Sequence, residues 1–156
     1  MKQKTYTVEE AKKKLEYYCA YQDRCHQEID RKLHEMKMIP EAKEILILHL
    51  IENDFLNEER FATSFARGKF RIKKWGRKRI VRELKIRNIS NFNIKRALST
   101  IDDLEYENVF NELSKKRLAN LKESNKYKKR KKLADYLLYR GWESQLVYKK
   151  VTELIP

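Results

Sequence analysis

Glycine and proline are scarce, three and two in 156 residues. Sheets with many turns consume both, so long helices joined by short loops are what remains, and the expected fold class is all-α. Cysteine is scarce as well. Cys19 and Cys25 do not make a disulfide framework, and the polar N-terminus holds no apolar signal segment, so a reducing cytoplasm is the expected compartment. Long apolar runs are missing: Ile45 to Leu48 is far too short to span a bilayer, and no membrane partner is expected. Also missing are a nucleophile–base pair, paired carboxylates and a Walker-type phosphate loop, so the chain is not expected to be an enzyme or to hold a cofactor. Cys19 and Cys25 with His26 and His34 have C-x5-C spacing without the close pairs of a structural zinc site, and no metal site is expected.

What the chain does have is positive charge, +14 in all, unevenly placed. Residues 67–87 carry +10 and residues 115–132 carry +9, on a frame that is neutral or slightly acidic elsewhere. Two such blocks point to a polyanionic partner, most simply nucleic acid. Phe70 and Trp75 interleave the first block, and Phe61, Phe65, Ile80 and Leu84 recur around it at helical spacing, which a disordered basic tail would lack. The block therefore reads as two helices presenting a cationic surface. Arg67, Lys69, Arg71, Lys73, Lys74, Arg77, Lys78, Arg79, Arg82 and Arg87 are the candidate contacts to phosphate or to an acidic protein face. In the second block, which also includes Lys115, Lys116 and Arg117, the candidates are Lys128, Lys129, Arg130 and Lys132. A solvated face that keeps an extended chain dissolved is the competing explanation for both. Trp75 either stacks on an exposed base or anchors the fourth helix on the fifth, the anchor being favoured.

Nine short helices follow from the caps and stripes. Thr7 to Glu10 is a capping box opening the first, with Val8, Ala11, Leu15, Tyr18 and Cys19 inward. Ile29, Leu33 and Met36 face inward on the second. Pro40 opens the third, where Ile45, Leu46, Leu48, His49 and Ile51 suggest the most buried helix of the set. Asn57, Ser90 and Asp102 or Asp103 cap the fourth, sixth and seventh; Gly76 breaks the chain before the fifth. Gly141 ends the eighth, and the ninth packs Leu146, Val147, Val151 and Leu154. The endings of the second, fifth and eighth helices are alike, and a shared leucine recurs at 33, 84 and 137, intervals of 51 and 53 residues. Three tandem three-helix repeats are expected, 1–53, 54–101 and 102–156, stacked into an elongated, curved molecule.

In its middle third the chain resembles the bacterial regulatory protein RecX family. The resemblance is carried by Asp54-Phe-Leu-Asn-Glu-Glu-Arg-Phe-Ala62, Phe65-Ala66-Arg67, Lys74-Trp-Gly-Arg-Lys-Arg-Ile80, and Glu83-Leu84 with Arg87-Asn88-Ile89. Asn57 and Glu58 stand where the family has an acidic pair, Arg77 where proline is common, and Asn88 where glycine is usual; asparagine still tolerates a left-handed helix end. The resemblance implies three tandem three-helix repeats. It also implies binding to the RecA recombinase, particularly its filament on DNA, with inhibition of strand exchange, ATPase and coprotease activities in DNA repair, homologous recombination and the SOS response. A monomer that contacts single- or double-stranded DNA, directly or through the filament, is expected. The alternatives from the residues themselves are a sequence-nonspecific nucleic-acid-binding module acting without a recombinase, and a helical adaptor.

Overall fold

The computed structural model describes residues 5–156, and among these it contains nine helices and no strand. They are α1 (Val8–Tyr21), α2 (His26–Glu35), α3 (Pro40–Glu52), α4 (Glu58–Lys73), α5 (Arg77–Ile86), α6 (Asn91–Ser99), α7 (Asp103–Asn120), α8 (Lys126–Tyr139) and α9 (Ser144–Leu154). Side chains start most of them. The Thr7 hydroxyl accepts from the Glu10 amide and the Glu10 carboxylate accepts from the Thr7 amide, a complete capping box. Asn57, Ser90, Asp102 and Asn125 each accept from the amide three residues on. Pro40 occupies the first turn of α3, where its missing N–H goes unmissed.

The repeat has a structural basis at the helix ends. Leu33, Leu84 and Leu137 are fully buried, and four residues after each the backbone turns left-handed, at Lys37 (φ 58°), Asn88 (φ 59°) and Gly141 (φ 92°). The next amide then reaches back to the leucine carbonyl: Met38 to Leu33 at 3.2 Å, Ile89 to Leu84 at 3.1 Å and Trp142 to Leu137 at 3.2 Å. This is the Schellman reversal, which satisfies carbonyls that the helix end would otherwise leave unpaired. Asparagine tolerates a left-handed angle near 58°, lysine adopts it at a cost from its Cβ, and 92° suits glycine.

Burial follows two clusters. Ala11, Leu15, Cys19, Ile29, Leu33, Leu46 and Leu50 form the first, under α1–α3. The second runs continuously beneath α4–α9, from Phe61 and Phe70 to Trp142 and Val151, and it also takes in Cys25 at the start of α2. Polar bonds cross beside Cys25: Arg60 Nε donates to Asp23 Oδ1 at 2.6 Å, the His26 amide to Glu58 at 3.2 Å, and Gln27 Nε2 to the Ile86 carbonyl at 3.2 Å. The accessible surface is 10449 Å². A compact folded monomer of this mass would expose about 8,400 Å². The excess belongs to an extended chain of units with a small core under each.

Expectations about burial are overturned in α3 and at two further residues. α3 buries Ala42, Leu46 and Leu50, whereas Ile45, Leu48 and Ile51 are exposed, at 62%, 55% and 44%. Apolar residues run around the whole helix, so its sequence has no preferred face; the i, i+4 row of Ala42, Leu46 and Leu50 wins because it meets α1 and α2. His49 is half-buried, held by Glu16 at 2.9 Å. Val8 and Leu146, expected inward, lie at 43% and 37% exposure.

Cys19 and Cys25 are both buried free thiols, and desolvation pushes each up to about 11. The native thiols therefore hold protons that an unfolded chain releases near pH 9, so stability falls as pH rises from about 9 toward 11. At pH 8 a colorimetric disulfide reagent is expected to titrate both thiols in denaturant and neither in the native protein within minutes. Prompt native reaction of one thiol would show that its helix opens locally.

Candidate polyanion interface

The junction between α4–α6 and α7–α9 is made backbone to backbone. The Gly76 amide donates to the Arg140 carbonyl at 2.8 Å and the Lys78 amide to the Gly141 carbonyl at 3.0 Å. The open N-terminus of α5 is thus satisfied by the closing turn of α8, positive end to negative end. A Cβ on Gly76 would lie 2.5 Å from the Gly141 oxygen, and one on Gly141 would fall directly on the backbone of Arg79. Trp142, fully buried, donates its indole N–H to the Lys74 carbonyl at 3.1 Å, and Arg140 Nη1 donates to the Lys73 carbonyl at 2.6 Å. Phe70, Tyr106 and Phe110 surround Trp142 with ring centroids 6.4, 4.5 and 5.0 Å away.

Arg77 is consumed by this junction. Its guanidinium lies 3.7 Å from the Tyr106 ring centroid and pairs with Asp103 at 2.9 Å and Glu143 at 3.2 Å. Its amide donates to the Tyr106 hydroxyl at 2.9 Å, and that hydroxyl donates to Glu143. Burial and the Glu143 bond push the Tyr106 phenol far above its ordinary range, so it stays a donor. A network this fully satisfied fixes the register of the two units.

The same docking opens a cleft of about 410 Å³ between the end of α4, α7 and α8. Lys73 and Lys74 enter it from the first basic block, Lys116 and Arg117 from the second, and Arg140 with Tyr136 from α8. Arg117 and Arg140 each sit 4.6 Å from the Tyr136 ring. The Arg117 Nε is buried without a hydrogen-bond partner. The Tyr136 ring holds Arg117 and Arg140, and the Lys73 carbonyl also holds Arg140; with Lys73, Lys74 and Lys116 beside them, five cations repel one another, and an anion in the cleft relieves that repulsion. Phosphate oxygens suit the arginine donors, with the lysines as point charges.

The other predicted residues are distributed around this cleft or away from it. Arg67, Lys78 and Arg82 are exposed. Arg71, also exposed, approaches Glu105 at 3.4 Å. Lys69 lies over the Trp75 ring at 5.1 Å and the Phe65 ring at 5.5 Å. Arg79 stacks between Trp75 (4.2 Å) and Tyr139 (4.8 Å), and Arg87 pairs with Glu83 at 3.1 Å over Phe65 at 4.8 Å. Trp75 is half-buried, edge-on to Phe65 at 6.2 Å. On α8, Lys128 is exposed and Lys129 half-buried, while Arg130 donates to the Ile155 carbonyl at 2.7 Å and Lys132 pairs with Glu123 at 2.9 Å. Arg140 and Tyr136 were not among the predicted contacts. The repeat register held a signal for Arg140: it follows Leu137 by three residues as Arg87 follows Leu84.

Among the described residues, no three His, Cys, Asp or Glu side chains are grouped to hold a metal ion, and no helix is long and apolar enough to cross a membrane.

Residues 57–98 match the family model for the second three-helix domain of RecX, and residues 103–151 match that for the third. The regulatory protein RecX of Lactobacillus johnsonii is 33% identical over 89 residues, covering 57% of this chain and 33% of that protein. The regulatory protein RecX of Clostridioides difficile strain 630 is 28% identical over 131 residues, 81% of this chain and 61% of that protein. The alignments thus span about a third of the first relative's length and less than two thirds of the second's. The crystal structure of RecX from Lactobacillus salivarius superposes with a TM-score of 0.79 at 22% identity, covering 94% of this chain and 96% of that one. A second crystal structure of a regulatory protein RecX gives 0.79 at 20% identity, covering 94% and 75%.

Proposed function

Because this chain belongs to the RecX family, we propose that it regulates the RecA recombinase by binding the filament that RecA forms on DNA, and that the regulation is inhibitory. It acts by occupancy, without chemistry of its own. Three units, 1–53, 54–101 and 102–156, lie along the filament groove and bridge neighbouring protomers. The cationic cleft between the second and third units meets DNA phosphate or an acidic protein face. ATP hydrolysis, strand exchange and coprotease activity fall together as access to the groove and exchange of protomers are blocked.

The observation that carries this reading is the convergence of Lys73, Lys74, Lys116, Arg117 and Arg140 in one cleft on an extended molecule. Groove occupancy needs length and a concentrated cationic surface, and the extended chain with its lysine- and arginine-lined cleft supports that reading. The exposed cations Arg67, Lys78, Arg82 and Lys128 extend the surface beyond the cleft.

The test is RecA-catalysed ATP hydrolysis on single-stranded DNA, titrated with this protein, beside its binding to bare DNA. Loss of hydrolysis at sub-stoichiometric protein, with weak bare-DNA binding, is expected. Unchanged hydrolysis together with tight binding to bare DNA that weakens steeply with salt would replace the filament regulator with a nonspecific nucleic-acid-binding module.

A further inference from the structure

The first unit carries an aromatic cup that the filament reading leaves unused. Lys14, Tyr17, Tyr18 and Tyr21 fall at i, i+3, i+4 and i+7 on α1, on a face that flanks its buried row of Ala11, Leu15 and Cys19, with Tyr18 partly buried against that row. Arg24, from the α1–α2 turn, and Lys32, from α2, close the cup, whose volume is about 310 Å³. Tyr17 and Tyr21 are 73% and 74% exposed, the most open aromatic rings of the first unit.

The cations are held in place around these rings. Arg24 lies 3.6 Å from the Tyr18 ring centroid, its Nε donates to the Tyr18 carbonyl at 2.9 Å, and Glu28 sits 3.5 Å from its Nη1. Lys32 Nζ lies 5.2 Å from the same ring. Lys14 Nζ donates to the Tyr6 hydroxyl at 2.8 Å. Tyr18 is thus engaged from within the fold, while Tyr17 and Tyr21 leave ring surface free. Apolar ring surface with a cationic rim selects its ligand by chemistry. A quaternary ammonium, the usual guest of an aromatic cage, would meet three resident cations lining the cup, with Glu28 against Arg24 and Glu35 within electrostatic reach of Tyr18. A flat aromatic that carries negative charge satisfies both features, and the nucleotide is that group.

We infer that this cup binds single-stranded nucleic acid by stacking bases on Tyr17 and Tyr21 while Lys14, Arg24 and Lys32 face the adjoining phosphates. The contact does not depend on RecA. A filament regulator whose first unit never touches a base would fail this test and still inhibit hydrolysis.

Binding is measured with fluorescein-labelled oligothymidylate and with an abasic strand of equal length and charge, for the wild type, for Tyr17→Ala/Tyr21→Ala and for Tyr17→Phe/Tyr21→Phe. Both tyrosines are exposed, so the fold survives their loss. The wild type is expected to prefer the base-bearing strand by roughly tenfold, and the alanine pair to abolish that preference. Affinity for the abasic strand and the slope of affinity against salt should stay the same, because no phosphate contact is removed. The phenylalanine pair, which keeps the rings, should bind as the wild type does. Equal wild-type affinity for the two strands, no measurable binding to either, or a preference that persists in the alanine pair would each overturn the inference.

Discussion

Gly141→Ala is expected to cost about 3–5 kcal/mol of unfolding free energy, near the upper end for single substitutions. Two effects add at this residue. Its φ of 92° is unfavourable for any residue with a Cβ, and that Cβ would fall on the backbone of Arg79 at the start of α5. Backbone cannot swing aside as a side-chain tip can. α5 must separate from the α8–α9 turn, and the Gly76–Arg140, Lys78–Gly141 and Trp142–Lys74 hydrogen bonds go with it. Burial of Trp142 against Phe70, Tyr106 and Phe110 is loosened in the same movement. Gly76→Ala meets the same contact from the other side, at 2.5 Å from the Gly141 oxygen. Gly68 is the internal control: it lies within α4 with nothing within 4 Å of its added Cβ, so Gly68→Ala should stabilise by about 0.5–1 kcal/mol. Guanidinium denaturation of the three variants decides the matter. A Gly141→Ala protein within 1 kcal/mol of wild type would mean that the two units do not depend on this contact.

Reversing charge at Lys73 and Lys116 together is expected to weaken binding to a single strand by about 100-fold near 0.1 M salt, on counterion release plus the repulsion of two introduced carboxylates. The slope of log affinity against log salt should shrink by about 1.4, at roughly 0.7 per lost phosphate contact on a single strand. Both side chains are exposed and neither belongs to the junction network, so folding should be little changed. Reversal at Lys128 and Lys129 alters the net charge equally but lies outside the cleft, and its effect should be several-fold at most. Equal losses for the two pairs would show that overall charge, and not the cleft, sets affinity. With RecA present, the Lys73/Lys116 pair should also raise the protein concentration needed to inhibit hydrolysis.

Much of this molecule is legible without coordinates because the information is local. A capping box at Thr7, caps at Asn57, Ser90 and Asp102, and left-handed ends after Leu84 and Leu137 are each settled within about four residues. The stripes of α2, α4 and α5 have one apolar face each: Ile29, Leu33, Phe61, Phe70, Ile80 and Leu84 are buried, and Phe65 partly so. α3 fails because several of its faces are apolar, and only its neighbours choose among them.

The site divides in the same way. That the chain is helical, repeated and cationic in two blocks follows from composition, periodicity and charge alone. Which cations stand free is decided by tertiary structure, because an ion pair is made by whatever acid the fold brings near. Arg77 looks no different from Lys78 in sequence, yet it is spent on Asp103 and Glu143, 26 and 66 residues away. Lys73, Lys74, Lys116, Arg117 and Arg140 come together only because Gly76 and Gly141 let two backbones touch, and that approach exists only once the second and third units have docked.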